Sequence, residues 1–285
     1  MLANLLQQST IKKCFQVLGS SVLCAGLMSP ANAQVESEPT PNLPTFELGL
    51  GLSAIHLPDY PGAEQNTNYL LPFPYIIYRG EKLRAGRDGI RGLLFEHKYL
   101  ELDISAGGSL PVNSDDNDAR EGMDDLDLSF ELGPSLRIKF FESDTHKLQL
   151  RLNTRALIST DFPDMKYEGW LFNPELRWTE QTSKRSLIGT SLQARYGSQG
   201  YHSFFHGVSS EFVTAEREEY RAERGFGGIS AGVFGRWWLG KDWRLGAGFT
   251  YHDFSNATFE DGPLFKRGHG SYVNFSIAKI FYRSK

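Results

Sequence analysis

The chain has 285 residues, of which 13% are aromatic and 22% charged, with 29 glycines and a formal net charge of −4. That content is too aromatic for a disordered chain and too polar for a bundle of membrane-spanning helices. Beyond residue 33 no stretch approaches the ~18 uncharged apolar residues that a transmembrane helix needs, and there is no basic footprint for nucleic acid.

The N-terminus reads as an export signal over residues 1–33. Lys12 and Lys13 supply its positive region, Val17 to Met28 its short apolar core, and Ala31-Asn32-Ala33 its cleavage site, so Gln34 is the expected first mature residue. The bulky Leu23 directly before Cys24 argues against lipidation of that cysteine. Cys14 and Cys24 both fall inside the signal, so the mature chain has no cysteine and at this size needs none. Without Lys12 and Lys13, 28 basic residues face 34 acidic ones, a mature charge of −6. An exported, cysteine-free, glycine- and aromatic-rich chain belongs in the periplasm or the outer membrane of a Gram-negative cell. Residues 34–45 are expected as a proline-rich periplasmic tail and 46–285 as the folded domain.

From Phe46 onward the sequence alternates with period two. In 46–55, Phe46, Leu48, Leu50, Leu52 and Ala54 share one face, and in 99–110 Leu100, Leu102, Ile104 and Ala106 oppose Tyr99, Glu101, Asp103 and Ser105. The clearest run is 125–140, where Leu126, Leu128, Phe130, Leu132, Leu136, Ile138 and Phe140 oppose Asp125, Asp127, Ser129, Glu131, Ser135, Arg137 and Lys139. Strands follow at 147–156, 170–179, 185–196, 226–239, 243–252 and 271–282. The only candidate helix is Glu211–Glu223, inside a loop.

A soluble sandwich alternates too, but two features favour a transmembrane barrel. Runs of ten or more residues match the ~9–11 needed to cross a bilayer at a tilt. Aromatics also end the apolar faces: Trp170 and Trp178 are eight residues apart, as are Trp243 and Tyr251, roughly 26 Å along a strand and close to the height of the apolar band between aromatic girdles. These four are the expected lipid-interface aromatics. Short connections at 141–146, 180–184 and 239–242 read as periplasmic turns. Long ones at 111–124, 160–168, 197–225 and 254–270 read as external loops. The expected fold is an all-β, closed antiparallel transmembrane β-barrel of about 12 strands, if 69–79, 82–87 and 90–96 are separate strands, with ten as the alternative; Pro72 and Pro74 interrupt the first of these three.

The polar faces carry both signs of charge. Glu101, Asp103, Asp127 and Glu131 come from early strands; Arg151, Arg155, Glu175 and Arg177 come from later ones. These eight are expected to form an interior charge network, since unpaired charges in a poorly hydrated interior are costly. The competing reading is a small porin whose charges are solvated. A barrel hydrolase is the other rival: His202, His206, Ser203, Ser209 and Ser210 cluster in 197–225, but no G-x-S-x-G or H-E-x-x-H accompanies them, and the cluster reads as a polar loop. Asp115, Asp116 and Asp118 lack the glycine and terminal glutamate of a calcium loop and read as a solvated loop, bridged to lipopolysaccharide by divalent cations. Asp59 reads as a turn residue.

Asp59-Tyr60-Pro61-Gly62, Leu71-Pro72-Phe73-Pro74-Tyr75-Ile76-Ile77-Tyr78, Gly122-Met123-Asp124-Asp125-Leu126-Asp127, Phe205-His206-Gly207-Val208 and Asp261-Gly262-Pro263-Leu264, in this order, resemble the MipA/OmpV family over about 46–282. The resemblance implies an outer-membrane barrel with no catalytic motif, no cofactor and no metal. It implies a non-enzymatic scaffold that joins a lytic transglycosylase to a murein synthase, with surface adhesion as the family's other described role. Arg283-Ser284-Lys285 after Phe281-Tyr282 departs from the terminal aromatic usual in such barrels.

Overall fold

The computed structural model describes residues 44–80, 83–86, 89–92 and 94–284. The expected signal and the 34–43 part of the expected tail lie outside the described residues. Thirteen strands form one antiparallel sheet. They are β1 (Phe46–Pro58), β2 (Asn66–Arg79), β3 (Leu83–Gly86), β4 (Gly89–Gly92), β5 (Phe95–Glu96), β6 (Leu100–Ser109), β7 (Leu128–Glu142), β8 (His146–Asp161), β9 (Asp164–Ser183), β10 (Ser186–Gly197), β11 (Gly225–Leu239), β12 (Trp243–Asp253) and β13 (His269–Arg283). The order is β4-β3-β2-β1-β13-β12-β11-β10-β9-β8-β7-β6-β5, so the first strand pairs with the last. β4, at one end of this order, lies beside β6, next to the other end.

Alternation decides which way each strand faces, and it faces opposite to a soluble sheet. On β7, Ser129, Ser135 and Arg137 are buried while Leu132 is 52% exposed. On β9, Asn173, Glu175, Arg177 and Thr179 are buried, and Trp170 and Leu176 face out. The inner face is polar and the outer face apolar. The polar side is also packed: Ser129 is fully buried, its hydroxyl 2.7 Å from that of Ser109. An arginine at 129 would therefore be crowded, contrary to the tolerance that a wide polar interior would give it.

Short turns join β7 to β8, β9 to β10 and β11 to β12. The 160–168 segment, expected as a long loop, is instead the end of a continuous hairpin in which β8 runs to Asp161 and β9 starts at Asp164. Leu157 faces Gly169 and Ile158 faces Tyr167, leaving Glu168 as the extra residue of a bulge. The bulge resets the phase of β9, so Met165 and Tyr167 join the outward side with Trp170. Gly169 has φ +148°, and a Cβ there would stand 2.4 Å from the backbone nitrogen of Tyr201, so the bulge also lets a helix approach the strand.

That helix is α1 (Gln199–His206), capped by Ser198, whose hydroxyl accepts from the Tyr201 N–H. It replaces the helix expected at 211–223. The α1 segment buries Tyr201, His202, Phe205 and His206, whereas 211–223 is dense in charge, packs only Phe212, Tyr220 and Ala222 inward, and holds the short 3₁₀ turn Ser210–Phe212 and a bridge from Tyr220 to Val208.

The connections 59–65, 110–127, 198–224 and 254–268 all lie at one end of the sheet and pack into one core with Leu157 and Leu171. The Tyr60 hydroxyl donates to the Leu264 carbonyl (2.9 Å), Arg217 Nη1 donates to the carbonyls of Ala119 and Glu121 (both 3.0 Å), and the N–H groups of Lys266 and Arg267 donate to Gly62. His206 sits where they meet, stacked on Phe259 (3.8 Å, 12°) and edge-on to Tyr60 (5.8 Å).

Burial, then His202 and Arg120, hold the His206 pKa well below the usual 6.5, and burial likewise lowers His202. A neutral buried imidazole stabilises the fold above the unfolded value, and the contribution is lost as pH falls from about 6.5 toward the folded pKa, because the unfolded chain binds the proton first. Acidification from about pH 7 to about pH 5 is therefore expected to lower the protection of amide hydrogens in the four loops, each exchange rate being taken relative to the slower intrinsic rate at the lower pH. His206→Phe should make that dependence shallower, with His202 supplying what remains; an unchanged slope would show that the imidazole is not the titrating group.

Candidate functional site: the charged interior and its loop cover

The inner face of β6–β9 is where the sequence concentrates charge, and the registers decide which charges meet. Glu101 faces Arg137 and Asp103 faces Ser135 across β6–β7, while Arg151 faces Glu175 across β8–β9. Arg137 lies 2.7 Å from Asp103 and 3.8 Å from Glu101, and Lys139 lies 3.8 Å from Glu101. Arg155 pairs with Glu131 (2.9 Å) and donates from Nε to the Ser105 hydroxyl (3.1 Å). Arg177 donates to Glu175 from both Nε and Nη2, and Arg151 lies 3.8 Å from the other Glu175 oxygen. On β1, Glu47 sits between Arg79 (3.0 Å) and Arg244 (3.8 Å). Arg177 is fully buried, and its guanidinium also lies over the Phe234 ring at 5.3 Å.

Of the eight residues expected in the network, seven lie on this inner face. Strand register decides how they group. Arg155 meets Glu131, but Arg151 and Arg177 share Glu175, a carboxylate on their own hairpin, because the β8–β9 register places it between them. Asp103 is taken by Arg137, which alternation put on the polar face without singling it out. Asp127 stands apart at the mouth of the sheet, one residue before β7. Partial burial, then the neighbouring Asp161, Asp125, Glu168 and Asp124, raise its pKa above the usual carboxylate range.

The loop cover joins this network through α1, where the Tyr201 hydroxyl reaches Glu131 (3.3 Å). Of its serines and histidines, Ser203 points to the Ala222 carbonyl (3.5 Å) and His202 to the Gly225 carbonyl (3.1 Å), and among the described residues none of the three serines is found hydrogen-bonded to an imidazole. Asp59 ties two loops, accepting from Thr67 (2.6 Å) and Asn117 (2.7 Å). Asp116 and Asp118 bind Gln65 and Asn113. No group of three or more His, Cys, Asp or Glu among the described residues is placed to hold a metal.

Sequence reasoning treated Tyr60-Pro61-Gly62, Phe205-His206 and Asp261-Gly262-Pro263-Leu264 as separate signatures, yet the fold brings them together in the cover. Gly62 has φ +81°, and a Cβ there would stand 2.4 Å from the Phe265 ring, so this turn requires glycine. Outside, Trp170 stacks with Tyr196 and Tyr251 with His269 near the loop end of the sheet (both 6.2 Å). Near the turn end Trp178 stacks with His146 (6.1 Å), and Lys279 lies over Trp243 (5.6 Å).

The Arg155–Glu131 pair is the place to measure the network. Double-mutant coupling between Arg155→Ala and Glu131→Ala, read from unfolding free energies, should fall in the range of about 0.5–3 kcal/mol, with the double variant recovering part of the loss. Coupling near zero would mean the pair is screened by water.

The family profile described as "MltA-interacting protein MipA" matches residues 50–281. No curated protein sequence matches the chain. Among solved structures, similarity is found to a CymD monoaromatic hydrocarbon channel (10% identity, 86% of this chain and 90% of that one, TM-score 0.41). It is also found to an outer membrane channel from Pseudomonas putida F1 (11% identity, 87% and 100%, TM-score 0.40) and to outer-membrane expressed OmpT of Vibrio cholerae (7%, 85% and 99%, TM-score 0.39).

Proposed function

The chain belongs to the MltA-interacting protein (MipA) family, and from that premise we propose that it is a closed outer-membrane β-barrel serving as a non-enzymatic scaffold for murein-cleaving and murein-synthesising enzymes. The observation that carries this reading is a packed interior inside an apolar shell. Opposed charges pair across the inner face, folded loops cover one end, and aromatics flank the outer face at both ends. The working surfaces of such a molecule are its ends. The short-turn end, with the preceding 34–45 tail, is the docking side for a lytic transglycosylase and a murein synthase; the loop end faces lipopolysaccharide. The ring closes if β4 and β5 are the two halves of one interrupted span. β4 pairs with β3 and β5 with β6, and that count gives the twelve strands expected from the sequence. The exposed Phe162, Met165 and Tyr167 on the β8–β9 hairpin favour surface adhesion as the second reading.

Leu132→Arg tests the membrane placement. It should cost about 2–4 kcal/mol in unfolding from lipid vesicles if this outward leucine meets hydrocarbon at mid-depth, whereas a cost near zero would place that face in water. Affinity capture from solubilised envelopes tests the scaffold. Both a lytic transglycosylase and a murein synthase should co-purify, and deletion of 34–45 should weaken their recovery. Recovery of neither would exclude the scaffold while leaving the barrel intact.

A further inference from the structure

The two ends of the sheet differ in charge. The loop segments 59–65, 110–127, 198–224 and 254–268 together hold 16 acidic and six basic residues. At the turn end the balance reverses around the β11–β12 turn. Lys241 and Asp242 lie in that turn, and the end of β13 brings Lys279 and Arg283 beside it. The register sets Lys279 directly opposite Trp243, with its ammonium 5.6 Å from the centre of the ring. Arg283 pairs with Asp242 (2.8 Å) and also donates to the Lys241 carbonyl, while the Ile280 N–H donates to the Asp242 carbonyl (2.8 Å). The Arg283 hydrogen bond, then the charges of Arg283, Lys279 and Arg244, hold the Asp242 carboxyl below the usual range. That one carboxylate is spent on Arg283. Among the described residues Lys241 and Lys279 have no ion pair, and both are exposed.

These cations stand where the apolar outer face stops. Leu239, paired with Trp243 across β11–β12, is 52% exposed, and Phe281 on β13 is 65% exposed. A lysine at such a boundary lays its methylene stem along the apolar surface and lifts its ammonium to the depth of the lipid headgroups. A tryptophan ring settles at the same depth, and an ammonium over its face is held in place by the ring quadrupole. The second lysine of this kind, Lys98 over the exposed Tyr99 (5.1 Å), lies on the β5–β6 turn at the same end. At the loop end the outer aromatics stack on each other or on His269, as Trp170 with Tyr196 and Tyr251 with His269.

We propose that Lys241 and Lys279, grouped with Trp243, form a binding site for the phosphate of an anionic phospholipid in the leaflet at the turn end. The inference rests on the outer-membrane reading. Charge complementarity and position select the occupant: the site presents two unpaired ammonium groups beside a ring that continues the apolar face, and a lipid phosphate carries its own acyl chains onto that face. A phosphatidylglycerol headgroup brings a net negative charge, whereas a zwitterionic headgroup brings a cation that competes with the lysines. Attraction of this kind falls off within a Debye length, so it acts on lipids at this end and not at the acidic loop end.

Both cysteines lie within residues 1–33, so single-cysteine variants of the mature chain can carry a fluorescent label at one site. Leu239→Cys and Phe281→Cys place it beside Trp243, and the outward Ile229→Cys at the loop end of β11 is the control; two labels near the site guard against one variant failing to fold. Each is reconstituted in phosphatidylcholine vesicles holding a minority of acyl-brominated lipid, either phosphatidylglycerol or phosphatidylcholine, and the ratio of quenching by the first to quenching by the second is read. The site predicts a ratio at 239 or 281 at least twofold above that at 229. Lys241→Gln with Lys279→Gln should bring it down to the value at 229, and arginine at both positions should restore it. A ratio at 239 and 281 no higher than at 229, as an acidic peptide partner in place of lipid would give, overturns the site and leaves the membrane reading standing. So does a raised ratio that survives both glutamine replacements. Quenching of none of the three labels by either lipid removes the membrane reading and the site with it.

Discussion

Arg177 and Asp103 are fully buried, and Glu101 and Glu175 nearly so. Taking each such ion out of water costs several kcal/mol, which only a well-placed counter-ion and further hydrogen bonds can offset. The β8–β9 register follows from this requirement: a slip of β9 by one residue would turn Glu175 and Arg177 onto the apolar face and take from Arg151 the carboxylate opposite it. The loop cover answers the same constraint from above, since Tyr201 on α1 gives Glu131 a hydrogen bond besides Arg155. Pairing thus fixes register, and register fixes which residues make the outer face.

The strands were legible because their signal is local. Alternation in 125–140 located β7 and its two faces from a period of two alone. The hairpin at 160–168 was not legible as such, since a bulge at Glu168 shifts the phase and the alternation looks as if it ends at Trp170. The helix was misplaced for a related reason: α1 is short, and its reason to fold is Phe259, Tyr60 and Gly169, which are distant in sequence. Charge partners were legible in sign and face but not in identity, because identity depends on register, and Glu175 was nearer to hand than the acidic strands.

Pro72 and Pro74 illustrate a different gap. Read along the chain, they weaken a strand; in the sheet, Pro72 faces Leu52 and Pro74 faces Leu50 within a continuous β1–β2 ladder. A proline has no N–H to give, so it fits a strand only at a position whose N–H the ladder does not use. Likewise Tyr60-Pro61-Gly62 looks like a surface turn until Leu264 and Phe265 are placed above it, and then the tyrosine is a buried hydrogen-bond donor and the glycine a steric requirement.

On the proposed reading, an interior built on paired charges and covered by folded loops offers ions no continuous path. The most direct test is the current carried by the purified full-length protein in planar bilayers. No large, stable open state is expected at neutral pH, in contrast to a water-filled pore of the same charge composition. A steady current whose ion selectivity changes on replacing Arg155 or Glu131 would contradict it, because those side chains would then be lining water instead of each other.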